Sequence, residues 1–227
     1  MNTLLAMVSC VVLLTAPFKL AAQRSSEVLR VLYSDLFQGE DVKPSFQVFS
    51  HAIHGMDELE REGKCATPIL TIVDFTKPST AKRLWVIDVN GQEMRYNTLV
   101  AHGKNSGGNV AKVFSNRPQS YMSSLGFYVT GSTYHGKHGL SLYLNGQELG
   151  INDKAKERAI VMHGADYVSQ SFIKKVGRLG RSHGCPAVPM HVHKELIEAL
   201  ADGTCLFVWY PDVNYLKRSR LLDKDLL

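Results

Sequence analysis

Apolar residues along this chain recur with two different periods, and the change from one to the other divides it. Phe49, Ile53, Met56 and Leu59 are spaced by three and four, which predicts a helix over residues 45–63 with Gly63 as its stop. The stretch before it, residues 23 to about 44, is mixed and polar and ends at Pro44. From Pro68 the texture turns to short β-branched runs. Ile69–Phe75 and Leu84–Val89 are followed by Asn90-Gly91, a two-residue hairpin signal, with Met94–Ala101 as the partner strand. Phe127–Thr130, Leu140–Leu144, Ala159–Met162 and Cys205–Tyr210 read as further strands, with a turn expected at Asn145-Gly146.

Helical spacing returns late in the chain. Val168, Phe172 and Val176 predict a short helix ended by Gly177. Val192, Leu196 and Leu200 predict another that starts near Pro189 and ends at Gly203. Residues 102–126 are rich in Gly and Ser and lack either period; so long an irregular stretch inside a domain is most often functional. Many short strands joined by Gly and Asn turns indicate a mainly β, largely antiparallel sandwich or barrel with added helices, an α+β fold.

The first residues read as an export leader. Leu4–Leu14 is almost continuously apolar, and Thr15-Ala16-Pro17 and Ala21-Ala22 follow. Cleavage is expected after Ala22, leaving no stable membrane span and an exported, periplasmic or wall-associated protein; the alternative is an uncleaved signal anchor. The expected organisation is a signal peptide over 1–22, a helical N-terminal segment over 23–66, a catalytic domain over 67–211 and a tail over 212–227. The net charge of +5 is scattered and accompanies no nucleic-acid motif, so no nucleic-acid partner is expected. Without the leader three cysteines remain, Cys65, Cys185 and Cys205. The odd count leaves one thiol free, and a Cys65–Cys205 disulfide or two unpaired buried thiols both stay open.

Chemistry concentrates in Arg181-Ser182-His183-Gly184-Cys185-Pro186 and in His163-Gly164 upstream. A cysteine in a glycine-flanked loop with two imidazoles in the same region suggests nucleophilic catalysis by a thiolate. His163 comes from a separate strand end and is the better candidate base; His183, two residues from Cys185, is a local support. The expected helix start near Pro189 would lower the thiol's pKa. Pro186 has no N–H, so backbone oxyanion donors would come from Cys185, Gly184 or His183.

These two motifs resemble the murein L,D-transpeptidase (YkuD-domain) family, whose pattern is a His-Gly pair, a spacer and Ser/Thr-His-Gly-Cys. The likeness extends to Val100–Gly107, Phe114–Asn116, Ser123–Tyr128 and Gly136–Leu142, and spans about residues 67–211. The resemblance implies a mixed β-sandwich with the site in a cleft. It implies that Cys185 attacks the third residue of a peptidoglycan stem tetrapeptide, that D-Ala leaves, and that an amine resolves the thioester to a 3→3 cross-link. By position Cys185 is nucleophile, His163 base and Gly164 backbone orienter, with Ser182, His183 and Gly184 around them. Carbapenems are then expected to acylate Cys185. The chain departs from the family at Ala187, where Asn or Arg is common, which turns attention to Arg178 and Arg181 for substrate contact. It departs again in the 22-residue step (185 − 163) between base and nucleophile. Tyr134, His138, His102 and His135 lie in Gly-rich stretches and are candidates to line the cleft.

Three other readings stay open. Water in place of the amine makes the protein an L,D-carboxypeptidase or cross-link hydrolase. His163, His183, Cys185, His191 and His193 fit no standard zinc spacing, so no metal or other cofactor is expected. A non-catalytic wall-binding domain is the third.

Overall fold

The computed structural model describes residues 24–226, so the expected leader lies outside the described residues. The chain begins with two helices, α1 (Ser26–Leu36) and α2 (Phe46–Arg61). The Ser25 and Ser45 hydroxyls cap them, accepting the Val28 and Val48 N–H groups. α2 is the helix expected over 45–63, with Phe49, Ile53, Met56 and Leu59 fully buried. α1 falls within the helical segment expected over 23–66, in the stretch that reads as mixed and polar: Leu29, Leu32 and Leu36 form a narrow buried stripe between more exposed residues. At Gly55 a β-carbon would meet the Phe127 ring at 2.2 Å, so this glycine lets α2 lie directly on the sheet.

Eight strands build that sheet: β1 (Ile69–Asp74), β2 (Leu84–Asp88), β3 (Glu93–Thr98), β4 (Gly126–Gly136), β5 (Gly139–Gly146), β6 (Val161–Gly164), β7 (Ala187–Val188) and β8 (Cys205–Trp209). Their order is β3-β2-β1-β8-β4-β5-β6-β7, antiparallel except for β1/β8 and β6/β7. β1 and β8 lie centrally and are buried throughout, which is why their sequences run apolar without alternation. β3, at one end, alternates.

The expected strand over 94–101 is shorter than its apolar run. β3 stops at Thr98, and Leu99–Gly103 cross to the opposite end of the sheet, where Ala101 N–H donates to Ala187 O at 2.9 Å. Three residues span at most about 10 Å, so the two ends of the sheet are brought together and the sheet curls on itself. A second small core of Leu99, Ala101, Ala165, Val168, Leu179 and Ala187 fills that junction.

Asn145-Gly146 is not a turn. Both residues pair with β4, opposite Val129 and Tyr128, so β5 runs on through them; the β4–β5 reversal is at Lys137-His138. Gly146 serves close packing: a β-carbon there would sit 2.0 Å from the Asn152 carbonyl. The helix expected after His163 is α3 (Gln170–Val176), ended by Gly177 at φ 77°. The next, α4 (His193–Ala199), starts later than Pro189 and ends before Gly203. Residues 212–227 contain α5 (Val213–Arg218) and bury Tyr215, Leu221 and Leu222 in the main core.

Candidate active site

β6 carries His163 at its third position, and β7 pairs with it in parallel, His163 opposite Ala187. Extending that register two residues back sets Cys185 beside Val161, whose backbone N–H reaches the sulfur. Paired residues of parallel strands share a face, and so do residues two apart, so Cys185 and His163 lie on the same side. Cys185 is half-buried. Its S–H donates to the Ala159 carbonyl at 3.7 Å. Burial pushes the thiol up, opposed by the Val161 N–H, Arg158, its own N–H and Lys137.

This corrects the expectation of a helix N-terminus behind the sulfur. Cys185 leads into β7, and α4 begins only at His193, so no helix end lowers the thiol.

His163 is buried, and its Nδ1 lies 2.8 Å from Gly164 O. A carbonyl only accepts, so Nδ1 carries the proton and Nε2 presents a lone pair. Burial holds the imidazole below its usual range, Gly164 O opposes this, and His138 and Lys137 add to it. The His138 ring stacks on His163, 4.3 Å between centroids. The β4–β5 turn therefore lies over His163.

The cysteine loop is held by hydroxyls. Ser182 Oγ accepts from Gly184 N–H at 3.0 Å and donates to Cys185 O at 2.6 Å. Ser182 also bridges to residues 102–104 through His102 O (3.0 Å) and Lys104 N–H (2.8 Å). Ser123 Oγ donates to Gly184 O at 3.1 Å and accepts Gly103 N–H at 3.0 Å. Gly184 sits at φ +126°, and a β-carbon there would lie 2.7 Å from Met122 O. Its N–H is spent on Ser182, which leaves His183 and Cys185 N–H of the three expected oxyanion donors. Gly164 is small for another reason: a β-carbon would lie 2.7 Å from His193 Cγ and 2.8 Å from Met190 Sδ.

The remaining candidates are dispersed. His183 is exposed, its ring 4.5 Å from Tyr121, itself at φ 55° and under Lys104 Nζ. Arg181 Nη1 is tied to the Lys104 and Gly107 carbonyls, and Arg178 Nη1 to the Leu179 carbonyl. Tyr134 stacks on Tyr143 within the hairpin. His102 is buried, accepting from Arg83 Nη2 at 2.8 Å. Cys65 and Cys205 are free thiols, Cys205 pushed well up by burial and by Cys65 beside it. Among the described residues no group of three or more His, Cys, Asp or Glu is arranged to hold a metal ion, and no helix is long and apolar enough to cross a membrane.

Arg158, Ser123, Tyr121, Lys104, Lys137 and Tyr167 also belong to the surroundings of Cys185, and sequence reasoning assigned none of them a role. Tyr167 follows β6, and the Cys185 sulfur helps burial to push its hydroxyl up to about 12. Lys137 and Ser123 fell within the stretches of family likeness; Arg158 and Tyr167 had no signal of spacing or motif.

The L,D-transpeptidase catalytic domain family matches residues 40–209. No curated protein matches the chain. Among solved structures, an L,D-transpeptidase from Mycobacterium smegmatis shares 11% identity at a TM-score of 0.39, over 64% of this chain and 60% of its own. An L,D-transpeptidase from Stackebrandtia nassauensis shares 15% at 0.37, over 81% of this chain and 76% of its own. The helical cell shape determining protein Pgp2 from Campylobacter jejuni shares 12% at 0.41, over 75% and 58%. This chain spans 60% of the length of the Mycobacterium smegmatis protein.

Proposed function

The chain belongs to the L,D-transpeptidase catalytic domain family, and we propose that it is a cysteine acyltransferase acting on peptidoglycan stem peptides. The observation that carries this reading is a neutral imidazole, fixed through Nδ1 on Gly164 O, on the strand that runs beside the cysteine loop. With strand spacing of about 4.8 Å and a two-residue offset, the Cys185 and His163 β-carbons come within about 8 Å, which the two side chains together span.

His163 Nε2 takes the Cys185 proton as the sulfur attacks the carbonyl of the third stem residue. The tetrahedral oxyanion is met by backbone N–H groups of the loop, Cys185 and His183. His163 then gives its proton to the amine of the departing D-Ala, leaving a thioester. An acceptor amine attacks the thioester, its surplus proton returns through His163 to the sulfur, and a new amide, the 3→3 cross-link, is released. Ser182, Ser123 and Gly184 hold the loop while Gly164 orients the base. Arg178, Arg181, Tyr134 and His138 remain the candidates for peptide contact. A wall substrate places the protein outside the cytoplasm, in keeping with an exported, periplasmic or wall-associated chain.

The test is product analysis. Purified protein incubated with tetrapeptide muropeptides is expected to give cross-linked dimers by mass. Tripeptides alone would make it a carboxypeptidase, and unchanged substrate with no carbapenem adduct on Cys185 would sink the cysteine mechanism.

A further inference from the structure

Behind the cysteine loop lies a cation that the scheme above does not use. Arg158, between β5 and β6, is half-buried. Its Nη1 donates to Ser115 O at 2.8 Å and to Ser124 Oγ, and its Nη2 donates to Met122 O and to Ser120 Oγ at 3.3 Å. All four acceptors are neutral, and Arg158 enters none of the ion pairs among the described residues. Its Nε–H is buried with no hydrogen-bond partner. A β-carbon on Gly184 would lie 3.2 Å from Nη2, so the guanidinium presses on the residue before the nucleophile.

The next residue, Ala159, holds φ 52°, a conformation that costs an alanine of order 1 kcal/mol and persists only where its surroundings impose it. Its carbonyl receives the Cys185 S–H, and the N–H of Val161, two residues on, faces the sulfur. One short segment thus supplies an acceptor for the thiol proton, a donor to the sulfur and a guanidinium behind it. A cation facing only neutral acceptors is expensive to bury unless an anion arises nearby. Two groups that can become one oppose the burial that lowers the Arg158 guanidinium, Tyr128 and the Cys185 thiol. Tyr128 is buried, its hydroxyl donates to Ser124 O at 3.1 Å and burial pushes it well up, which leaves the thiol.

We propose that Arg158 is a positioning residue for the nucleophile: its guanidinium, clamped by Ser115, Ser120, Met122 and Ser124, supplies the countercharge of the Cys185 thiolate, while the strained Ala159 carbonyl holds the thiol proton at rest. When His163 Nε2 takes that proton, the S–H···O bond to Ala159 breaks and the sulfur keeps the electron pair under the field of Arg158. The inference rests on Cys185 being the nucleophile, but its test does not require wall chemistry. The other charged and titratable groups that face the sulfur are Lys137 at the hairpin tip and Tyr167 after β6, with His163, His138 and His183 beside them.

The experiment is the rate of Cys185 alkylation by iodoacetamide as a function of pH, read from the mass of the Cys185 peptide so that Cys65 and Cys205 are counted separately. In this reaction the thiolate displaces iodide and forms a thioether. R158Q that melts as a folded protein is expected to raise the midpoint by about one pH unit, so the rate at pH 7 falls about tenfold while the high-pH plateau stays. R158K cuts the fork's hydrogen bonds but keeps the charge, and its midpoint is expected to stay near that of the native protein. K137Q, at an exposed tip, is expected to move it less than R158Q. A folded R158Q with an unmoved midpoint overturns the proposal. Should R158Q fail to fold, R158K decides: a midpoint raised by a full unit despite the retained charge overturns it as well. Failure on these terms would leave the muropeptide result standing.

Discussion

At the scale of single residues, Gly184 fixes the backbone that leads into Cys185, the proposed nucleophile. Its φ of +126° suits glycine alone, and a β-carbon would collide with Met122 O, a carbonyl that Arg158 holds in place. Gly184→Ala is therefore expected to cost about 2 kcal/mol, roughly 4 to 8 °C in melting temperature for a chain of this size. It should also slow carbapenem acylation at least tenfold in protein that is still folded; acylation at the native rate would show that the loop tolerates the shift. The two histidines separate more sharply. His163→Ala removes the lone pair that Gly164 orients and should abolish acylation, a loss of at least 10²-fold. His183→Ala removes an exposed ring packed on Tyr121 and should only slow it; equal and complete loss in both would leave the base unassigned. Cys185, His163 and Ser182 stood out as candidates because the family pattern is local in sequence, and the structure sets them side by side. Arg158 and Ser123 act on Gly184 across 26 (184 − 158) and 61 positions of chain, and nothing in their own sequence neighbourhoods announces that contact. The strain at Ala159 and Tyr121 is a property of the fold and has no residue signature, unlike a glycine turn.

At the scale of elements, the β4–β5 hairpin is the part of the site most exposed to change. β4 pairs with β8 only over Gly126–Val129; beyond Thr133 its only named partner is β5. β5 is backed by β6 from Ser141 to Tyr143, so only the tip beyond Tyr134 is two-stranded, and two ring stacks brace the hairpin, Tyr134 on Tyr143 and His138 on His163. His138 also covers His163, the proposed base, and burial first, then the charges of His138 and Lys137, keep that imidazole below its usual range. His138→Ala should let the His163 value rise toward 6.5. The base must be neutral to accept a proton, so the acid limb of the acylation rate against pH is expected to move to higher pH. An unmoved limb would mean the stack leaves the base as solvent would. The central strands were legible because apolar β-branched runs survive burial on both faces, and α2 because its stripe is wide. α1 lies within the helical segment expected over 23–66, but its spacing marked no element, because its buried stripe is three leucines with Val28 and Val31 exposed beside them. Asn145-Gly146 misled because a glycine that admits Asn152 looks, in sequence, like one that admits a turn.

At the scale of the whole molecule, a sandwich or barrel was legible but the place where the sheet closes was not, since a crossing at Leu99–Gly103 looks like the tail of a strand. The way the core is closed also sets an acid limit, because two of the buried imidazoles are driven far below their usual range. His51 on α2 is fully buried against Trp209, at 5.4 Å between rings, with neither nitrogen hydrogen-bonded. Burial drives it to about 4, against an opposing pull from Asp223. His102 reaches about 4 as well, through burial and then Arg83. Unfolded imidazoles titrate near 6.5, so between about pH 6.5 and 4 the unfolded chain binds protons that the folded chain refuses. The stability these groups contribute is complete above 6.5 and declines as the pH falls toward 4, by up to about 1.4 kcal/mol per pH unit for each. Burial raises Glu148, Asp57 and Glu60, whose contribution has the opposite sign, so the native slope alone does not isolate the histidines. His51→Leu does. Leucine keeps the packing on Trp209 and removes both unpaired nitrogens, so the variant should be at least as stable at pH 7.5. Its unfolding free energy in urea should then fall less steeply than the native protein's between pH 6.5 and 4.5, by about 1.4 kcal/mol per unit. Parallel curves would mean that His51 takes up its proton in the folded protein as easily as in the unfolded one. His102→Leu is the contrasting case: it strands the buried Arg83 Nη2 with one partner fewer, and should destabilise the protein at every pH.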